Sequence, residues 1–313
     1  MSTGVRILEP GQMETPKGEI RFLFLPDRDL FARRAERLRY LSKDHLWGDY
    51  LNFLAILSDA QQDALNQFPA LPLPGPDAQA LYRERGMPLL DSLSRPRNPA
   101  WRRALNTILE QMNKGAFPPA ALETVARLMH ASDATLEETA DRVLSGDFAA
   151  VSPQEMPLVA AALQVYWVHM ASSMREHALG RSKQGGSCPV CGSHPSVGIV
   201  RGGAQGQGLR YLSCSLCASE WNMVRLKCSN CESTEGIDYY TLESSAGAVK
   251  AESCGACNSY LKLIYLSKDL RMEAMADDLA TLNLDILMDE KGKARRGPNL
   301  FFHPGRSHWH DRI

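Results

Sequence analysis

All eight cysteines of this 313-residue chain lie in CxxC pairs, and the pairs repeat. They are Cys188/Cys191, Cys214/Cys217, Cys228/Cys231 and Cys254/Cys257, with 22, 10 and 22 residues between successive pairs. The second half of the array therefore copies the first at a period of 40 residues, Cys188 falling on Cys228 and Cys217 on Cys257. CxxC–x22–CxxC is close to the spacing of a four-thiolate metal site. Two residues between cysteines let the backbone turn tightly around one ion. Two such turns close a tetrahedron, with metal–sulfur distances of about 2.3 Å for zinc. The repeat predicts two sites in tandem. Cys188, Cys191, Cys214 and Cys217 form the first, and Cys228, Cys231, Cys254 and Cys257 the second. An interleaved arrangement, first pair with third and second with fourth, also fits but needs two long crossing connections. The competing chemistry is disulfides or a redox dithiol, yet a thiol oxidoreductase needs one reactive CxxC, not four at a fixed repeat. After the first pair, Gly192 permits a left-handed residue where the chain turns away. The other pairs are followed by Ala218, Glu232 and Asn258, so that feature is not expected to recur.

The length allows one to three domains and a sizeable core without help from metal. A hydrophobic content of 44% is ordinary for a soluble chain, and the formal net charge of −1 points to neither nucleic acid nor an anionic membrane. The apolar stretch from Met156 to Met174 contains Pro157, Gln164 and His169. It is short and polar for a membrane span and reads as a buried central helix. No secretory signal is read in Met1 to Pro26, and eight reduced thiolates suit the cytosol.

The pattern predicts an α+β chain. An N-terminal all-α helical domain (1–184) precedes two small zinc-ribbon-like four-cysteine modules (187–226 and 227–266) and a C-terminal helix with its tail (267–313). Helices are expected over 29–44, 46–68, 99–114, 118–131, 134–145 and 153–178. Ser152 and Glu155 form a capping box for the last of these, which is apolar nearly all round. Pro69 to Pro76 is a loop and Gly180 to Gly186 a linker. Strand signals lie at Ile199–Val200, Leu209–Leu212, Asp238–Leu242 and Leu261–Leu266. Leu270 to Met288 reads as helix, burying Leu270, Ala274, Leu279, Leu282 and Leu287. The tail from Asp289 is expected to be solvated or partly ordered.

Neither a catalytic triad, a carboxylate dyad nor a phosphate loop can be argued, so no enzyme is expected. The glycine-rich run from Gly202 to Gly208 lacks a following helix and a P-loop lysine, and reads as a hairpin tip. His194 is read as loop decoration, and His308 and His310 as weak candidates in the tail. Trp221 and Tyr260 lie near CxxC pairs and are read as shielding a site rather than meeting a partner.

Several segments together carry a family resemblance. Cys188-Pro-Val-Cys-Gly192, Tyr211-Leu-Ser-Cys-Ser-Leu-Cys-Ala-Ser-Glu-Trp221 and Arg225-Leu-Lys-Cys-Ser-Asn-Cys231 are among them. So are Glu252-Ser-Cys-Gly-Ala-Cys-Asn-Ser-Tyr-Leu-Lys262, Ala276-Asp-Asp-Leu-Ala-Thr-Leu282, Arg21-Phe-Leu-Phe-Leu-Pro26 and Gly48-Asp-Tyr-Leu-Asn-Phe-Leu54. The chain resembles the FdhE family, accessory proteins for formate dehydrogenase formation, over most of its length. The resemblance implies a cytoplasmic maturation factor that binds the catalytic subunit of respiratory formate dehydrogenases. It also implies rubredoxin-like modules that bind iron, with zinc as the other candidate. Two further functions compete. A rubredoxin-like electron carrier leaves the helical domain without a role. A zinc-ribbon nucleic-acid binder conflicts with charge: residues 187–266 hold six Lys/Arg (Arg201, Arg210, Arg225, Lys227, Lys250, Lys262) and six acidic residues. Four thiolates on a divalent ion then leave each site net negative, which opposes phosphate binding.

Overall fold

The computed structural model describes residues 20–175, 185–202, 208–242 and 247–302. Its organising element is a helix that buries every residue from Met156 to Ala171. The helices before it are α1 (Leu30–Leu41), α2 (Gly48–Asn66), α3 (Pro76–Arg85), α4 (Ala100–Met112), α5 (Pro119–Met129) and α6 (Asp133–Ser145), and the central helix is α7 (Met156–Ser172). α2, α4 and α6 pack on α7, so a segment apolar on all sides meets protein all round. The capping box is not formed. Residues 153–155 make a turn in which the Ser152 carbonyl accepts from the amides of Glu155 and Met156, and α7 begins one residue before Pro157. Proline tolerates that first turn because its missing N–H would have no partner there. The proline-rich loop ends sooner than expected, since Pro76 opens α3 and Gly86, at φ 64°, closes it.

The cysteine region is one continuous sheet. Its strands are β1 (Leu23–Phe24), β2 (Pro195–Arg201), β3 (Leu209–Cys214), β4 (Glu220–Asn222), β5 (Ile237–Tyr240), β6 (Val249–Cys254), β7 (Ser259–Tyr265) and β8 (Ala294–Arg295). They run in the order β1-β4-β3-β2-β7-β6-β5, with β8 also on β7. The period-40 repeat is visible here, because β3 and β6 each end on the first cysteine of a pair and occupy positions 40 residues apart. Antiparallel β2–β3–β4 and β5–β6–β7 are the two copies. They are fused where β2 runs parallel to β7, with Gly198 opposite Leu263. Arg201 lies opposite Leu209, so the glycine-rich run joins a hairpin, although 203–207 lie outside the described residues. From the N-terminal part, β1 adds to the β4 edge, Leu23 opposite Trp221.

The C-terminal helix is interrupted. α8 (Ala274–Leu279) and α9 (Leu282–Glu290) are separated at Ala280 and Thr281. At the break the carbonyl of Asp278 accepts from the Thr281 amide at 3.2 Å and from the buried Lys262 ammonium at 2.7 Å. Leu270, expected to be buried, is 84% exposed, because residues before α8 form a turn held by Asp269 rather than a helical face. The tail is built into the fold as far as residue 302. β8 joins the sheet, Leu300 and Phe301 enter the core, and the Asn299 amide donates to Asp278 at 2.7 Å. His308 and His310 lie outside the described residues.

Candidate metal centres

Three of the four CxxC pairs form a tight turn around their first sulfur. The amide of Val190 points at Cys188 Sγ at 3.4 Å, that of Leu216 at Cys214 Sγ at 3.4 Å, and that of Asn230 at Cys228 Sγ at 3.3 Å. The chain leaves each of the four turns through the left-handed region. Gly192 has φ 81°, and the same conformation recurs at Ala218 (55°), Glu232 (62°) and Asn258 (54°). The feature that sequence suggested for one turn alone is thus common to four, three of them without glycine. A non-glycine residue costs roughly 1–2 kcal/mol there, so the surrounding bonds impose the shape.

The turns bring the cysteines together in two groups. Cys188, Cys191, Cys214 and Cys217 have all their sulfurs within 4.8 Å of one another, as do Cys228, Cys231, Cys254 and Cys257. The interleaved arrangement is not the one seen. Sulfur separations across the pairs are 3.6 Å (Cys188–Cys217), 3.4 Å (Cys191–Cys214), 3.7 Å (Cys228–Cys257) and 3.7 Å (Cys231–Cys254). A tetrahedron with metal–sulfur bonds of about 2.3 Å has edges of about 3.8 Å. The two clusters can therefore each hold a metal ion, and a donor set of four thiolates suits zinc or iron rather than magnesium or calcium. Among the described residues, no histidine or carboxylate shares either cluster. His194 is exposed and contributes only its carbonyl, to the amide and hydroxyl of Ser215.

The surroundings of the two groups differ. In the first, all four cysteines are buried in the main core. The loop before α4 covers one turn, with the amides of Leu90 and Ser92 donating to the carbonyls of Val190 (2.8 Å) and Cys191 (3.0 Å). From α7, the Gln164 side chain donates to the Ser215 carbonyl of the other turn at 2.8 Å. In the second, Cys231 is exposed and Cys257 half-buried. There, burial pushes the Cys228 thiol up to about 12. Cys257 is drawn down to about 6, because hydrogen bonds from Ser259 and Asn230 outweigh its burial.

Family models match three consecutive parts of the chain: FdhE, N-terminal over residues 20–184, the FdhE central domain over 187–225 and the FdhE C-terminal domain over 226–302. The chain belongs to the FdhE family. The Protein FdhE homolog of Pectobacterium carotovorum subsp. carotovorum (strain PC1) is 43% identical, the match covering 97% of this chain and 99% of that protein. Protein FdhE of Salmonella paratyphi B is 42% identical, covering 90% and 91% of the two chains. The crystal structure of the FdhE protein from Pseudomonas aeruginosa superposes with a TM-score of 0.84 at 40% identity, covering 91% of this chain and all of that one.

Two sets of supporting residues escaped the sequence reading. Every CxxC is in fact CxxC-x-Ser, giving Ser193, Ser219, Ser233 and Ser259. The carbonyls of Ser193, Ser219 and Ser233 accept from the amides of Cys188, Cys214 and Cys228 at 2.8–2.9 Å, closing their turns. Ser219 and Ser259 also bring hydroxyls to Cys217 (3.3 Å) and Cys257 (3.0 Å). The fourfold serine was a legible signal. The second set, in the Ala276–Leu282 segment, was not. Asp277 pairs with Arg37 of α1 at 2.6 Å, and its neighbour Asp278 pairs with Lys262 of β7 at 2.7 Å. α8 thereby ties the helical domain to the sheet. Trp221 and Tyr260 are both buried. Trp221 shares the main core with the first cluster, while Tyr260 lies in a smaller core and donates to Asp285.

Proposed function

We propose that this chain is a cytoplasmic, non-catalytic accessory protein that binds the catalytic subunit of a respiratory formate dehydrogenase and serves its assembly. The two four-cysteine clusters, set in a chain of the FdhE family, carry this reading. Each cluster holds one ion through its four thiolates, Cys188, Cys191, Cys214 and Cys217 in the first and Cys228, Cys231, Cys254 and Cys257 in the second. Iron is favoured by the family resemblance, with zinc the alternative. Four thiolates fill a tetrahedral ion, leaving no position for substrate, so the ions act on shape rather than turnover. The sheet depends on them because its turns hold strained residues at Ala218, Glu232 and Asn258. Two observations support the assignment to a binding protein. No helix of the described residues is long and apolar enough to cross a membrane. Of the six cations in residues 187–266, Arg210 and Lys262 are buried in ion pairs and Arg201 and Lys227 pair with Glu220 and Glu232, which reduces the positive surface open to nucleic acid.

The test combines partner and metal. The tagged chain, purified without oxygen from cells making formate dehydrogenase, should retain the catalytic subunit and about two ions per chain. A reddish preparation with rubredoxin-like absorption indicates ferric iron, and a colourless one zinc. Deleting the gene should lower formate dehydrogenase activity without lowering transcription of its subunits. Soluble cysteine variants that bind no metal yet restore full activity would overturn the role given to the clusters.

A further inference from the structure

The two clusters are copies in sequence and opposites in setting. Cys191 and Cys231 hold the same place in the repeat, yet Cys191 is 0% exposed and Cys231 is an exposed residue. The cover over the first cluster comes from outside the repeat, from the loop before α4 and from α7. The second cluster takes its immediate support from its own turns, from the Gly185 amide, which donates to the Glu232 side chain at 3.2 Å, and from Lys293 between α9 and β8, which bonds the Cys254 carbonyl and the Asn258 side chain on the side of the second pair. The segment leading to it is pinned by buried Arg210, which donates to the carbonyls of Val224 (2.7 Å) and Lys227 (2.6 Å) and pairs with Glu252. That clamp holds Leu226 left-handed at φ 63° with its side chain 58% exposed. A non-glycine residue kept in such a conformation is over-determined by its surroundings.

We infer that the first cluster is a permanent structural centre and the second an exchangeable one, with Cys231 as the ligand through which its ion is reached. The inference rests on the reading that both clusters hold ions. The ligand class is a soft thiolate, either a free thiol or a cysteine of another chain. In the exchange Cys231 gives up its bond to the ion and takes the proton of the incoming thiol, whose sulfur takes the position Cys231 left. Four thiolates remain on the ion and no electron moves. At Cys191 the same attack is blocked, because its sulfur has no solvent face.

The experiment uses the full chain loaded with zinc under anaerobic conditions. Zinc release to a coloured chelator is followed with and without reduced glutathione, and partial labelling with N-ethylmaleimide is mapped over the eight cysteines by peptide mass spectrometry. One zinc should leave at least tenfold faster than the other, at a rate that rises with glutathione. Cys231 should be labelled first. Cys231→Ser should lose the fast zinc and keep the slow one. Two ions released within twofold of each other, or labelling that starts in the first cluster, would overturn the inference while leaving the metal reading intact. A chain that takes up neither zinc nor ferrous iron overturns the metal reading and the inference together.

Discussion

The side-chain amide of Gln164, midway along the central helix, donates to the carbonyl of Ser215 at 2.8 Å, between Cys214 and Cys217. Its oxygen meanwhile accepts from Arg34 at 3.1 Å and Gln61 at 3.2 Å. One buried amide thus joins the helical domain to the first cysteine cluster. The polar residue that argued against a membrane span is the contact that anchors the cluster.

Replacing Gln164 with Leu should therefore do two things. Leaving buried partners unsatisfied should cost roughly 2–3 kcal/mol in urea unfolding. Zinc release from the first cluster should quicken while that from the second is unchanged. Equal acceleration of both would show that Gln164 acts on global stability alone.

Lys262 is fully buried between Asp278 at 2.7 Å and Asp285 at 2.6 Å, and Arg295 closes the ring with the same two carboxylates. Lys262→Met strands buried negative charge, and should lower stability by about 3 kcal/mol or more. Pairing it with Asp278→Asn should recover part of that loss. A single variant within about 0.5 kcal/mol of the parent chain would mean the ring is not coupled to folding.

The four left-handed turns make opposite substitutions informative. Gly192→Ala should destabilise by about 1 kcal/mol, since a Cβ there is strained at φ 81° and lies 3.3 Å from Pro88. Ala218→Gly should be neutral or stabilising, because it relieves the strain at φ 55°. Thermal melts of the zinc-loaded chain read both. A destabilised Ala218→Gly chain would place the cost of glycine in the unfolded state above the strain.

Glu137 supplies a pH dependence. Burial disfavours its charge, but hydrogen bonds from Trp101, Arg97 and Arg102 outweigh this and hold its carboxyl below the usual range. The contribution is therefore complete above the unfolded value of about 4.3 and disappears as pH falls through the lower folded value. Glu137→Gln should cost no more than about 1 kcal/mol at neutral pH and less in acid. Urea midpoints measured from pH 7 to pH 3 should converge for the two chains, and a gap that widens in acid would reverse the assignment.

Much of the fold was legible because its signals are local. Apolar spacing located α1, α2, α4, α5 and α6 within a few residues, and alternation located β2, β3, β5 and β7. Short edge strands such as β1 and β8 exist only because a neighbouring strand offers unpaired groups, so two-residue segments carry no pattern of their own. The same holds for α8 and α9. Leu270 to Met288 has helical spacing throughout, but the helix is divided at Ala280 and Thr281, where Lys262, distant in sequence, bonds the Asp278 carbonyl. Phe301 looked like tail, and is buried because the core reaches back to it.

By itself the sequence determined the chemistry available: eight cysteines, their grouping by a repeat of 40, and turns short enough to gather four sulfurs. Such grouping depends on chain connectivity over a few dozen residues, which spacing records. Only the tertiary structure decided that the copies are unequal. β2 and β7 merge the modules into one sheet, and the helical domain covers the first cluster while leaving Cys231 exposed. Burial is a property of what packs against a residue, and a repeat that is symmetric in sequence cannot state which of its copies a third element will cover.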